Sequence, residues 1–514
     1  MEFKFGGSAD NQKTVLGHPS GLFILFFTEM WERFSYYGMR ALLVIFLISS
    51  FDDQGWGWER DKALILYAWY TGLVYITPML GGFVADKFLG YRRSIVIGAF
   101  IMTLGHLFMA LETPFFFYAG LLSLIAGNGL FKPNISSIVG NLYKELDKEK
   151  DAGYTIFYMG INAGAFLGIL LCGYIGEKIG WNYGFGFAGI FMFLGMLQFY
   201  FGQNIFGNIG LAPKLLIHRK ESPTEIVKED PKIVKDRLFV IGILAFFTIF
   251  FWWAFEQAGG SMMVFAKDYT DRDLVGKSAW IFKIFNTTLT IIPMLIITWI
   301  LYLLYKQTFR KYWLSNSILG ISFAIVWTIV IWMLRKEFTE DSTEIPASWF
   351  GILNSFFIIA LAPLFSKIWA SKINPSGPVK FALGLILLGL GFGILSYGSM
   401  EIPQGAKTAS ISIVFLILAY LFHTLGELCI SPVGLAYVSK LSPPRLIGLM
   451  FGIWFIANFI SNTLAGFTGS YIDLIVEKYS MATFFMIFTI IPIGSGIVML
   501  LISKILVKKM HGIR

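Results

Sequence analysis

Charge is what this sequence has little of. Only 14% of its 514 residues are Asp, Glu, Lys or Arg, while 56% are hydrophobic; soluble domains carry about 25% charged residues. That scarcity excludes a soluble globular chain, because only a bilayer can cover so much apolar surface. Cysteine and histidine are also scarce: two and five residues. Cys172 and Cys429 lie in separate apolar segments, without metal-site or redox spacing, so they read as small packing residues. A membrane enzyme would need a metal cluster or nucleophile constellation in its spans, and these residues do not supply one. No cofactor and no metal are expected. The first twenty residues lack an apolar run beside a cleavage site, so no cleaved signal peptide is expected. Strand patterns, low-complexity tracts and a visible internal repeat are missing as well, although a repeat in structure alone stays open. The net charge of +9 does not point to nucleic acid, because the Lys and Arg lie between apolar runs and not along one soluble face.

What is present is a series of apolar runs, each long enough for the roughly 20 residues of a spanning helix. Fourteen are expected, near 20–50, 62–85, 93–111, 115–140, 153–175, 183–204, 237–265, 279–304, 312–334, 347–370, 379–398, 409–438, 447–472 and 481–503. A basic polar stretch, near 207–236, holds Lys214, Arg219, Lys220, Lys228, Lys232, Lys235 and Arg237. It divides the chain into 1–206 and 237–514. Placing the N-terminus in the cytoplasm puts most Lys and Arg in cytoplasmic segments. Both termini are therefore expected inside, in a multi-pass protein of the cell (inner) membrane.

Charged groups within spans are costly and by default mark function. In the first span Glu29, Arg33, Tyr36 and Arg40 fall on one helical stripe, with Glu32 at its edge. Two acids and two bases cannot face lipid, so they are expected to pair in a polar cavity. A glutamate held there by an arginine can take up or release a proton as that neighbour moves. Lys132 follows Gly127-Asn128-Gly129 and precedes Pro133, where the helix is expected to kink. Glu256 and Glu427 are acids in apolar spans of the second half. Buried bases in the first half and buried acids in the second suggest ion pairs between halves. Lys283 is expected to snorkel outward from a span end. His106 and His423 could serve as proton relays, but as lone histidines they read first as satisfied interior residues. In the loop Gly82–Arg93, Asp86 is expected to cap or pair near the turn and the arginines to serve topology.

Four motifs together resemble the proton-dependent oligopeptide transporter family of the major facilitator superfamily. Glu29-Met-Trp-Glu32-Arg33-Phe34-Ser-Tyr36-Tyr37 is similar to its ExxERFxYY motif, and Gly81–Arg93 to its first signature. Phe157-Tyr158-Met159-Gly160-Ile161-Asn162-Ala163-Gly164-Ala165 is similar to its FYxxINxG signature, and Gly426–Gly434 to its tenth-helix motif. The resemblance runs from about residue 20 to 505 and implies an all-α major facilitator fold: two six-helix bundles, here with two extra helices. It implies a symporter importing di- and tripeptides with protons, working as a monomer in the lipid bilayer. Glu29, Glu32 and Arg33 correspond to the proton-coupling group. Arg40 with Glu256, and Lys132 with Glu427, correspond to the outer and inner gate pairs. Arg33, Tyr37, Tyr75, Lys132, Asn162, Asn354, Glu427 and Trp454 correspond to the peptide site.

One departure matters. Bacterial members often carry two extra helices after the sixth. Here Phe251-Trp-Trp-Ala-Phe-Glu256-Gln257 follows the linker directly, and the surplus pair falls near 279–334. The pair is expected to be peripheral and to hold no buried acid. Within the class, transport of another small anion or zwitterion, or drug–proton antiport, remains the alternative. A channel is less suited, because charges spread over both halves fit gates better than a pore ring.

Overall fold

Each apolar run folds as a helix in the computed structural model, which describes residues 3–143, 147–212, 230–371, 373–443 and 446–513. The first half holds α1 (Ser20–Ile48), α2 (Arg60–Val84), α3 (Tyr91–Met109), α4 (Pro114–Asn141), α5 (Asp147–Lys178) and α6 (Trp181–Gly202). The second begins with α7 (Pro231–Phe255), a 3-10 turn (Glu256–Gly259) and α8 (Ser261–Asp268). The extra pair follows as α9 (Lys277–Thr308) and α10 (Trp313–Thr339). Then come α11 (Ile352–Ala370), α12 (Gly377–Gly398), α13 (Ile413–Leu441), α14 (Ile447–Ser470), α15 (Ile472–Lys478) and α16 (Met481–Lys509). The linker residues Lys214, Arg219, Lys220 and Lys228 lie outside the described residues, whereas Lys232 and Lys235 belong to α7.

Among the described residues, thirteen spans, with α7 and α8 counted as one, are long and apolar enough to cross a membrane. α1 is not among them, because any 18-residue stretch of its 29 residues carries at least three of Glu29, Glu32, Arg33 and Arg40. Its length of roughly 43 Å at 1.5 Å per residue still crosses a bilayer core. α4 stays helical through Pro133.

The chain forms two compact units. The first comprises Met1–Leu42, Thr77–Arg219 and Arg272–Trp349; the second comprises Leu43–Ile76, Lys220–Asp271 and Phe350–Arg514. In the first, α3 packs on α4 and α6; in the second, α12 packs on α13 and α16. The same device serves both. A Cβ on Gly98 of α3 would lie 2.6 Å from the Gly127 carbonyl oxygen of α4, and one on Gly384 of α12 would lie 2.8 Å from that of Gly426 on α13. This is close helix contact of the small-residue kind, repeated where the sequence shows no repeat.

The extra pair is part of the first unit. Ser315 of α10 donates to the Gln198 carbonyl of α6 at 2.8 Å. Phe323 stacks edge-on with Phe27 and Trp31, each at 5.7 Å. On the face that carries the N-terminus, Lys311 pairs with Asp10 at 2.6 Å. On the far face, β3 (Asp273–Val275) pairs with β4 (Ser342–Glu344). Glu344 there binds Lys178 at 2.5 Å and Arg272 at 2.9 Å. A second pair of strands, β1 (Thr14–Val15) and β2 (His18–Pro19), precedes α1. Strands of two or three residues are too short to leave a period-2 signal, so the sequence reads as purely helical.

Two expectations about this pair fail. Lys283 does not snorkel: it is 4% exposed, and its amine donates to the Glu340 carbonyl. The pair does hold a buried acid. α10 runs five residues beyond the expected end at 334, and Glu337 in that last stretch is 7% exposed.

Candidate functional site

The first-half site is built on α1. Glu29 and Arg33 are four residues apart and share a helix face, so Arg33 Nε reaches Glu29 Oε1 at 2.7 Å. The same nitrogen lies 2.8 Å from Glu32 Oε2. All three side chains are buried, Glu32 completely. Asn128 of α4 donates from Nδ2 to Glu32 Oε1 at 2.9 Å. Lys132, one turn further along α4, also faces Glu32.

The glycines of the fifth-helix motif explain how α1 can carry this cluster inside. A Cβ on Gly160 would lie 2.9 Å from the Phe26 ring, and one on Gly164 would lie 2.8 Å from Arg33 Cβ. Gly168 continues the series against Phe34. Spaced at i, i+4 and i+8, they form a flat face on α5 that seats directly on α1.

Charge balance defines what this cluster can do. Two carboxylates share one guanidinium, which leaves one negative charge in a buried place. Either the Lys132 ammonium or a proton neutralises it. The chemistry of such a group allows it to bind a proton if the lysine is drawn elsewhere and to release it if the lysine returns. Glu29 Oε2, Arg33 Nη2 and Asn128 Oδ1 are buried, with no hydrogen-bond partner among the described residues. The cluster therefore retains donors and acceptors for another group.

Other expected residues of the first unit are placed as follows. Arg40, half-buried, stands over the Tyr37 ring at 6.0 Å, and Tyr37 meets Tyr36 edge-on at 5.1 Å. Asn162 is buried and donates to its own helix at the Tyr158 carbonyl, 3.0 Å away.

In the second unit, Asn354 of α11 donates to Glu427 Oε2 of α13 at 2.9 Å and to Thr424 at 3.1 Å. This joins two expected site residues and adds Thr424. Glu256 is buried in the 3-10 turn between α7 and α8. Trp454 packs edge-on to Phe381 at 6.4 Å, and Asn458 donates to its carbonyl at 2.8 Å. Tyr75 is half-buried on α2. The members of each expected gate pair, Arg40 with Glu256 and Lys132 with Glu427, belong to different units.

Several functional candidates escaped the sequence. Asn128 lies one turn before Lys132, and that i, i+4 spacing was its available signal. Arg60, at the start of α2, is another such candidate. It binds Asp268 at 2.7 Å, Asp473 at 2.6 Å, the Tyr269 hydroxyl at 3.1 Å and the Lys407 carbonyl at 2.9 Å, all within the second unit. Arg92 was assigned to topology. It folds onto the chain after α6, donating to the carbonyls of Gly207 and Ile209. Asp86 pairs with Tyr91, as the turn suggested. His106 and His423 are buried, but neither ring nitrogen has a hydrogen-bond partner among the described residues. His423 instead stacks near Phe392 at 4.4 Å. They are interior residues but not satisfied ones.

The POT family model matches residues 92–221 and 322–487. A di-/tripeptide transporter of Lactococcus lactis subsp. cremoris is 32% identical, over 98% of this chain and 99% of that protein. Peptide transporter YePEPT of Yersinia enterocolitica subsp. palearctica is 31% identical, over 90% and 89%. An uncharacterized transporter of Bacillus subtilis, YclF, is 30% identical over 98% and 97%. A crystal structure of a peptide transporter variant in complex with alafosfalin superposes with a TM-score of 0.74 at 28% identity, covering 98% of each chain.

Proposed function

The chain belongs to the POT family, and from that premise we propose that it imports di- and tripeptides by proton symport with alternating access. The buried Glu29–Arg33–Glu32 cluster carries the reading, because its charge balance calls for one movable proton or cation. Glu29, Glu32 and Arg33 couple the proton. Arg33 and Lys132 hold the peptide carboxylate. Glu427, oriented by Asn354, holds the ammonium, and Tyr37, Tyr75, Asn162 and Trp454 contribute the remaining surface. Arg40 with Glu256 and Lys132 with Glu427 act as outer and inner gates.

The protein works as a monomer in the cell (inner) membrane with both termini in the cytoplasm. Its first-half bundle spans 1–206, the linker 207–236 and the second half 237–514, interrupted by the extra pair. The test is uptake into proteoliposomes under an imposed pH gradient, with a dipeptide, nitrate and a cationic drug as substrates. Accumulation of the dipeptide alone is the expected result. Accumulation of nitrate, or expulsion of the drug, in its place would select the alternative of another small anion or drug–proton antiport.

A further inference from the structure

The extra pair holds a second buried group of acid, amide and lysine, apart from the α1 cluster. Glu337 lies at the far-face end of α10 and is 7% exposed. Its Oε2 accepts from Asn286 Nδ2 of α9 at 2.8 Å. Its Oε1 is buried, with no hydrogen-bond partner among the described residues. Lys283, one turn before Asn286, is 4% exposed and donates to the Glu340 backbone carbonyl. Thr290 closes the inner side, its hydroxyl 3.5 Å from Asn286 Oδ1.

The other titratable groups facing Glu337 are Lys283 on α9, Glu340 just past α10 and Tyr174 on α5. Trp332 and Trp349 stand against Tyr174, each at 6.0 Å, so the surroundings are aromatic. The chemistry parallels that of Glu32, which accepts from Asn128 and faces Lys132. A cavity of about 430 Å³ adjoins the group, lined by Trp280, Lys283, Phe338, Glu340 and Asp341. Lys283 belongs to both, and Glu340 and Asp341 are exposed at the cavity.

We propose that Glu337 is a second proton-binding site, loaded from the external face through this cavity and separate from the proton-coupling glutamates of α1. The external placement follows the orientation proposed above. A proton from water adds to Oε1, and the Asn286 bond to Oε2 persists because a neutral carboxyl oxygen still accepts. Before that step, Lys283 is the cation facing the Glu337 carboxylate among the described residues, and its amine also serves the Glu340 carbonyl. From Glu337 the chain runs through β4 and a 3-10 turn (Ala347–Gly351) into α11, which carries Asn354. Glu177 of α5 pins that turn, accepting from the backbone N–H of Ala347 at 2.8 Å and of Ser348 at 2.9 Å. The proton on Glu337 therefore tunes transport and does not drive it.

The test follows the carboxyl C=O stretch by infrared difference spectroscopy on the full reconstituted chain, between about pH 4 and about pH 9. Parent, Glu337→Gln, Asn286→Ala and Glu32→Gln are compared. Glu337→Gln is expected to lose one titrating band that Glu32→Gln keeps. Asn286→Ala retains the acid, so it is expected to move the midpoint of that same band by about one unit, which a misfolded variant would not do selectively. Gradient-driven uptake by Glu337→Gln is expected to persist with an altered pH profile. An unchanged set of bands in Glu337→Gln and Asn286→Ala overturns the site. Loss of gradient-driven accumulation by folded Glu337→Gln overturns its separation from coupling. The infrared readout needs no peptide, so a failure of the peptide assignment is told apart from a failure of this one.

Discussion

Glu32 is held by a guanidinium, an amide and, through space, an ammonium. Each favours the carboxylate, while complete burial opposes it. A balance of that kind gives way when one neighbour moves. Glu32→Gln keeps the shape and removes the titration. Its gradient-driven accumulation is expected to fall to the level seen without a gradient, while peptide counterflow continues. Full pH-driven uptake by this variant would remove Glu32 from the coupling group. The two-ended clamp proposed above would recognise the peptide's charged ends by charge-assisted hydrogen bonds, the strong kind in a partly desolvated site. Acetylating the N-terminus or amidating the C-terminus is therefore expected to weaken competition against a labelled dipeptide by roughly 100-fold or more. Side-chain changes should matter far less; equal competition by blocked and free peptides would eliminate the two-ended clamp. The ion-pair residues were legible because charge within an apolar run is rare. Asn128 was not, because an uncharged amide between two glycines reads first as packing. Lys283 departs from expectation for a related reason: its position near the span end suggests water, but α10 continues past Glu337 and the residue that follows it, Glu340, supplies the acceptor.

At the scale of elements, the fifth-helix motif is a packing device as much as a signature. Gly164 lets α5 lie against Arg33. Gly164→Leu is expected to force α5 away from α1 and cost about 1–3 kcal/mol, lowering the melting temperature in detergent. Gly164→Ala should do the same to a smaller degree. A melting temperature unchanged in both would mean that the approach of α5 is not tight. The extra pair is held by Asp10 on one face and Glu344 on the other. Burial pushes both carboxyls up, but Lys311 and Tyr312 for Asp10, and Lys178 and Arg272 for Glu344, outweigh it and leave both below their usual values. The stabilisation they contribute is therefore present above about pH 4 and lost as pH falls through the depressed values. Because the lysines and Glu344 are partly exposed, each pair contributes at most about 1 kcal/mol. Hydrogen-exchange protection at 309–312 and 342–345 should drop between about pH 6 and about pH 3, corrected for intrinsic rates. Retained protection would show that apolar packing alone holds the pair.

The whole molecule is organised differently from its sequence order. The basic stretch suggests one cut, whereas the compact units divide α1 at Leu42 and α2 at Ile76. Contacts at the two ends of one helix are independent of each other, and hydropathy reports only that the helix crosses. Within the second unit, Arg60 is the polar fastening of the N-terminal half of α2. Its guanidinium joins Asp268 at the end of α8, Asp473 of α15 and the Lys407 carbonyl. Apolar contact supports it further along, where α2 meets Gly466 of α14 through Ala68. Arg60→Ala removes four bonds at once and leaves Asp268 without its closest partner. Breaking a buried pair costs roughly 3–5 kcal/mol, less here because Asp473 is half exposed. The loss should show as fraying of Leu43–Ile76 from the second unit. Leu64 reports it well, since it is fully buried and lies against the helix face that bears Gly466. Leu64→Cys should react slowly with a membrane-impermeant thiol reagent applied to the face proposed as external, and about tenfold or more faster when combined with Arg60→Ala. The native Cys172 and Cys429 are buried, so background labelling stays low. Equal labelling in both backgrounds would mean that Arg60 is a solvated surface charge, and that the N-terminal half of α2 is held by its apolar face alone.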